Sequence, residues 1–237
     1  MDAFVRNRML LGDTVQSQIE NLHVAVFGIG GVGGYAVEAL VRCGVGKLTL
    51  FDGDCVSASN INRQIIANTK TVGEKKVCIM KKRILEINPN AQVFTVDKFL
   101  TDSDVNNLDL SSYDYVIDAI DTVKTKIALI TKCYENSLPI ISCMGTGGKI
   151  DPSKITVCDV YQTEYCPLAR AVRSSLKKAG VKRLKVVYSP EKSKGETTTE
   201  QTKADGEKAP PSMIFVPAVA GLTLANQVIL DVKEGKI

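Results

Sequence analysis

Gly28, Gly30 and Gly33 stand in the Gly-x-Gly-x-x-Gly spacing directly after an apolar run, Val24 to Phe27. Glycine at the first two positions lets backbone N–H groups approach a phosphate, and the third lets the following helix pack on the strand. Asp52 closes the next apolar run, where a carboxylate is placed to accept hydrogen bonds from ribose hydroxyls. The glycines alone do not select a nucleotide; the residues after Asp52 do. Asp52-x-Asp54-x-Val56-x-x-Ser59-Asn60-x-Asn62-Arg63-Gln64 sets two acids and an arginine just beyond the strand. The planar five-donor fork of arginine matches phosphate oxygens, so the pattern favours ATP over NAD. Lys76 comes one residue before a helical apolar stripe and can point back towards the same edge. Asp118 and Asp121, three apart at the end of another apolar run, can hold a hard cation such as Mg2+ beside phosphates. Asp118 can also be structural, and Asp121 can instead cap the helix that begins near Val123.

Regular elements must position these groups. Val32, Ala36, Val37 and Leu40 carry helical spacing, and Lys47 to Phe51 reads as a strand. A helix with Val77, Met80, Ile84 and Ile87 ends before Asn88-Pro89, and strands follow at Gln92–Val96, Tyr113–Asp121 and Leu138–Cys143. Strand and helix signals alternate five times before residue 145. The fold class is therefore α/β: a Rossmann-like, mainly parallel sheet with helices on both faces and its ligand at the carboxyl ends of the strands. From Ile155 the pattern shifts to antiparallel C-terminal strands, Ile155–Val160 and Leu184–Tyr188, around a basic helix from Cys166 or Pro167 to Ala179. The polar stretch 189–212 reads as a mobile loop, followed by a strand at Met213–Val216 and a helix at Pro217–Lys233. The whole reads as one domain, with a nucleotide-binding half over 1–150 and a second half over 151–237.

Composition narrows the class. The 237 residues are 44% apolar, which suffices for a core, and hold no continuous run of about 18 apolar residues. The amino terminus lacks a signal-peptide core, so the expectation is a cytoplasmic protein without a membrane anchor. Seven scattered cysteines argue against a disulfide framework, and the absence of Cys-x-x-Cys pairs argues against structural zinc. His23, the only histidine, starts a strand and reads as structural, as does Cys166 as a buried thiol. Lys75, Lys81, Lys82 and Arg83 read as a solvated helix face. A net charge of +4 permits nucleic-acid binding without requiring it. Arg170, Arg173, Lys177, Lys178, Lys182, Arg183 and Lys185 give the second half a positive surface that can neutralise phosphates.

These motifs together resemble the adenylating family related to ubiquitin-activating enzymes, which includes the ThiF, MoeB and HesA proteins. The general pattern runs from Arg8 to about Gly148. Resemblance to the branch that dehydrates N6-threonylcarbamoyladenosine in tRNA extends through Pro167-Leu168-Ala169 and Val186-Val187-Tyr188-Ser189. It implies that Lys76 binds phosphate, that Asp121 is the metal-associated acid, and that Arg8 reaches the nucleotide of the other subunit of a homodimer. It further implies that the 189–212 connection crosses the nucleotide site, that ATP and Mg2+ serve as cofactors, and that the substrate carboxylate forms an acyl-adenylate which cyclises with loss of AMP. A sulfur-relay protein is a further candidate partner. Two alternatives stay open: activation of the carboxyl terminus of a ubiquitin-like or sulfur-carrier protein, and a non-catalytic NAD-binding module.

Overall fold

Short β-branched and apolar runs form a single sheet in the computed structural model, which describes residues 2–193 and 210–237. Its strands are β1 (His23–Phe27), β2 (Lys47–Phe51), β3 (Gln92–Val96), β4 (Tyr115–Asp118), β5 (Ile140–Cys143), β6 (Thr156–Asp159) and β7 (Lys185–Tyr188). They lie in the order β3-β2-β1-β4-β5-β7-β6. Every pairing is parallel except that of β6 with β7. All five residues of β1 are buried, as expected of a central parallel strand covered on both faces. The strands read from the second half of the sequence are antiparallel to each other, but β7 also pairs with β5 and so extends the parallel sheet of the first half.

The helices are α1 (Val5–Leu11), α2 (Asp13–Asn21), α3 (Gly33–Arg42), α4 (Lys76–Ile87), α5 (Asp102–Asn107), α6 (Val123–Glu135), α7 (Pro167–Lys178) and α8 (Phe215–Lys233). On one face Val24, Val26, Leu48 and Leu50 pack with Val37 and Leu40 of α3 and with Ala220, Leu224 and Val228 of α8. On the other, Ala25, Phe27, Phe51 and Val116 meet Leu129 and Cys133 of α6, with the Phe27 and Phe51 rings stacked 4.1 Å apart. Val172 and Leu176 of α7 cover Val186 in a third cluster. The alternation in the sequence thus becomes helices on both faces, which leaves the carboxyl edge of the sheet open between their ends.

Several boundaries differ from the sequence reading. Met213–Val216 contains no strand: α8 begins at Phe215 and takes Pro217 into its first turn, where proline's missing N–H removes no intrahelical bond. Sequence patterning does not reveal α1 or α5. α5 is short and polar, with Val105 its one buried residue, and is fixed by a reciprocal cap between Thr101 and Asp104. α8 is long and apolar enough, by length and composition, to cross a membrane, although no continuous apolar run exists. Its apolar side is used in the core, and a side chain at Gly221 would overlap the Val32 carbonyl where α8 meets the start of α3. The reading of 189–212 as a mobile loop falls mainly on residues outside those described.

Candidate nucleotide site

β1 hands over to α3 through the glycine turn. Gly28 has φ of +89°, and a side chain there would also meet the Ala119 carbonyl oxygen at 2.7 Å. A side chain on Gly33 would overlap the Gly28 carbonyl. Gly30 is different: the nearest atom to an added Cβ is Gln64 Nε2 at 3.9 Å. The fold itself requires glycine at the first and third positions. At the second, the bare backbone leaves room for a ligand.

Asp52 braces this turn. One carboxylate oxygen accepts the Ile29 N–H at 2.6 Å and the other accepts the Asp54 N–H at 2.8 Å, while burial pushes its pKa up. Asp54 in turn receives Lys76 Nζ at 2.6 Å. Lys76 is the first residue of α4 and only 5% exposed, so its side chain does turn back towards the sheet edge. The neighbouring basic residues are not simply solvated: Lys75, just before α4, pairs with Asp97, and Arg83 of α4 with the buried Glu38 of α3.

Asn60 closes the turn that presents the arginine, its side-chain oxygen accepting the Ser57 N–H at 3.1 Å. Arg63 Nη1 donates to Ser59 O at 2.8 Å and to Asn62 Oδ1 at 2.9 Å, and Arg63 Cγ lies 3.5 Å from where a Gly31 side chain would begin. Both acceptors are neutral, and no carboxylate among the described residues pairs with it. Burial pushes its pKa down, because a half-buried guanidinium is poorly solvated. Gln64 is buried, with its side-chain oxygen lacking a partner among the described residues. Hydrogen bonds thus link the glycine turn to Asp52, Asp54 and Lys76, and Gln64 and Arg63 flank Gly30 and Gly31 of the same turn.

The two later acids separate. Asp118 is completely buried and paired with Lys126 Nζ at 2.6 Å, which corrects the reading of two carboxylates sharing a cation. Asp121 is exposed just past the strand end, and Thr122 rather than Asp121 occupies the cap position of α6. Among the described residues no cluster of three metal-ligating side chains exists. One carboxylate is nevertheless compatible with magnesium, which keeps several waters and takes its other ligands from phosphates.

Arg8 is not brought to the site of its own chain. It is bound by Asp2 at 2.9 Å and Glu20 at 2.6 Å. The Glu20 carbonyl abuts Gly46, immediately before β2. That places the arginine's anchor at the amino edge of the sheet, a five-residue strand or roughly 17 Å from the glycine turn. His23 is structural as read, with its ring nitrogens on Ser112 O and Thr49 Oγ1, and Cys166 is buried behind Gly145.

Asn62 stands in the sequence motif without a role there; its Nδ2 donates to Ser212 O at 2.8 Å and ties the arginine's turn to the segment entering α8. Sequence reasoning missed Gly31, approached by Arg63 and by Pro217 of α8. The glycine itself was visible within the motif, but not its distant neighbour.

A glycine turn, a carboxylate brace and two cations gathered at the carboxyl edge of a parallel sheet define a Rossmann-like site for a nucleotide with several phosphates. The chain belongs to the ThiF family, whose profile matches residues 4–229. It is 39% identical over 237 residues to a tRNA threonylcarbamoyladenosine dehydratase of Bacillus subtilis, covering 96% of this chain and 93% of that protein. The Escherichia coli dehydratase is 45% identical over 168 residues, 71% of this chain and 63% of that one. Among solved structures, E. coli TcdA in complex with ATP superposes with a TM-score of 0.89 at 34% identity, covering 98% of this chain and 94% of that one.

Proposed function

We infer that this chain is an ATP-dependent tRNA threonylcarbamoyladenosine dehydratase. The threonine carboxylate of the modified nucleoside attacks the α-phosphorus of ATP, pyrophosphate leaves, and the acyl-adenylate cyclises with release of AMP. The net change is loss of water from the nucleoside, driven by ATP. The observation that carries this reading is Arg63, a half-buried guanidinium held by neutral acceptors beside the glycine turn. Solved structures of a relative bound to ATP and to AMP, the nucleotide before and after reaction, support it.

Arg63 and Lys76 hold the phosphates and stabilise charge as they separate, Gly30 gives the backbone access, and Asp52 faces the ribose while bracing the turn. Asp121 would hold Mg2+, which when bound neutralises charge on the phosphate oxygens. Catalysis of this type rests on placement and electrostatics and needs no protein nucleophile. Arg8, remote from its own site, serves the site of a second copy in a homodimer. Two observations favour that role: α1 has no buried residue, and Met9 and Leu10 beside Arg8 are each 82% exposed. Cytoplasmic tRNA approaches along Arg170, Lys177, Lys178, Lys182 and Arg183, all exposed. Lys185 drops out of the basic surface read from the sequence because it pairs with Asp231, while the half-buried Arg173 keeps its charge but is tied to Thr163 O.

The test is incubation of the protein and ATP with tRNA bearing or lacking the threonylcarbamoyl group, then mass analysis of the nucleosides. Loss of one water from the modified nucleoside only is expected; an unchanged nucleoside would refute the substrate.

A further inference from the structure

The Asp118–Lys126 pair is part of a fully buried polar network under the end of β4. Asp118, Lys126 and Ser142 each have no solvent exposure. Lys126 Nζ lies 2.6 Å from Asp118 Oδ2 and 3.1 Å from Ser142 Oγ, and Ser142 donates to the same carboxylate oxygen at 2.5 Å. The remaining Asp118 oxygen accepts the Ile120 N–H at 3.0 Å. Three elements, β4, β5 and α6, thus converge on one carboxylate, and its free oxygen is used on the turn that leads to Asp121.

Desolvating two charges costs several kcal/mol, so a buried ion pair is a poor way to gain stability compared with apolar side chains of the same size. What such a pair supplies is a defined geometry. The turn it fixes is also a wall of the nucleotide site: Ala119 N–H continues the ladder onto Phe27 O at 2.8 Å, and the Ala119 carbonyl stands 2.7 Å from where a Gly28 side chain would begin. Ala119 Cβ also stands 3.3 Å from where a Gly33 side chain would begin. A change in the direction of residues 119–121 would therefore move Asp121 relative to the glycine turn.

We propose that Asp118, Lys126 and Ser142 are positioning residues of the adenylating site, setting the 119–121 turn so that the Asp121 carboxylate is held at a fixed place beside the phosphates. They touch neither ATP nor the tRNA. The proposal rests on the reading that Asp121 acts there, and the experiment separates the two.

Ser142→Ala removes one hydrogen bond and Lys126→Met removes the charge at similar length; each is made alone and together with Asp121→Ala in the full chain. Folding is checked by the thermal midpoint, ATP affinity by calorimetry, and AMP formation in a single turnover with modified tRNA. Ser142→Ala is expected to slow turnover about tenfold and Lys126→Met about 100-fold, the size of loss that a misplaced catalytic group produces. ATP affinity should stay within about twofold, since Ser142 and Lys126 lie wholly inside the protein, where the nucleotide does not reach them. Adding either change to Asp121→Ala should cost little more than Asp121→Ala alone, because both act through the same group. Wild-type turnover in folded Ser142→Ala, or losses that multiply with Asp121→Ala, would overturn the proposal, and Ser142→Ala decides the matter if Lys126→Met does not fold. Wild-type turnover in Asp121→Ala would instead refute the role given to Asp121 and this proposal with it.

Discussion

Lys76 Nζ and the Asp54 carboxylate lie 2.6 Å apart, one 5% exposed at the start of α4 and the other half exposed beyond β2. This pair parks a cation beside the carboxylate-braced glycine turn before any phosphate arrives. Asp54 retains water on its open side, so the pair adds little stability. Lys76→Ala is expected to lower single-turnover AMP formation by ~100-fold or more while moving the unfolding free energy by only about 1 kcal/mol. Rapid-quench kinetics beside a urea titration checks both halves.

Arg63 is predicted to resist its nominal conservative change. A lysine keeps the charge but loses the planar fork, and it cannot satisfy Ser59 O and Asn62 Oδ1 while facing a phosphate. Arg63→Lys should weaken ATP binding about tenfold, and Arg63→Ala should weaken it further. Calorimetric titration with ATP gives both values.

The three motif glycines should separate on alanine substitution. Gly33→Ala would drive Cβ into the Gly28 carbonyl, and Gly28→Ala combines a positive φ with a clash at Ala119 O, so both variants should be grossly unstable. Gly30→Ala has 3.9 Å of room and should fold with a near wild-type thermal midpoint, yet lose ATP affinity by about tenfold or more as its methyl occupies phosphate space. Parallel melting and binding curves decide this.

Glu38 gives the acid side of the stability profile. Burial pushes its carboxyl up, but hydrogen bonds from Arg83 and Arg42 outweigh burial and hold it below its ordinary value of 4.5. A group lowered in the folded state stabilises above its unfolded pKa and loses that contribution as pH falls through the folded value. Glu38→Gln should therefore cost about 2 kcal/mol at pH 7, and the gap to wild type should narrow steadily below about pH 4.5. Urea midpoints across that range measure it.

Charge removal on α7 tests the route of tRNA. Replacing Arg170, Lys177 and Lys178 by glutamine should weaken tRNA binding and make it less sensitive to salt, by up to about one counterion for each side chain that neutralises a phosphate, leaving ATP affinity unchanged. Filter binding at several salt concentrations reads the slope.

Much of this was legible in the sequence because of where each residue sits. Strands buried on both faces, β1 above all, appear as unbroken apolar runs, so Phe27, the glycines after it and Asp52 at the end of β2 could be placed almost to the residue. The position of Lys76 ahead of a helical stripe allowed an inward turn, but only the fold gives its direction. What sequence could not show were partners brought together by the fold. The sequence allowed Asp118 a structural role without naming its partner, and the return of Lys126 beneath β4 supplies it. Lys185 reads as surface charge because Asp231 is 46 residues away. Arg8 was visible only through resemblance, and its intrachain partners Asp2 and Glu20 carry no motif of their own.

The central claim is that a carboxylate attacks the α-phosphorus at the rim formed by Arg63, Lys76 and Asp121. Modified tRNA whose threonine carboxylate carries a heavy-oxygen label tests it directly, with the phosphorus products separated after one turnover. The account predicts one labelled oxygen in the phosphate of AMP and none in pyrophosphate. Label in inorganic phosphate, with ADP as the nucleotide product, would contradict it.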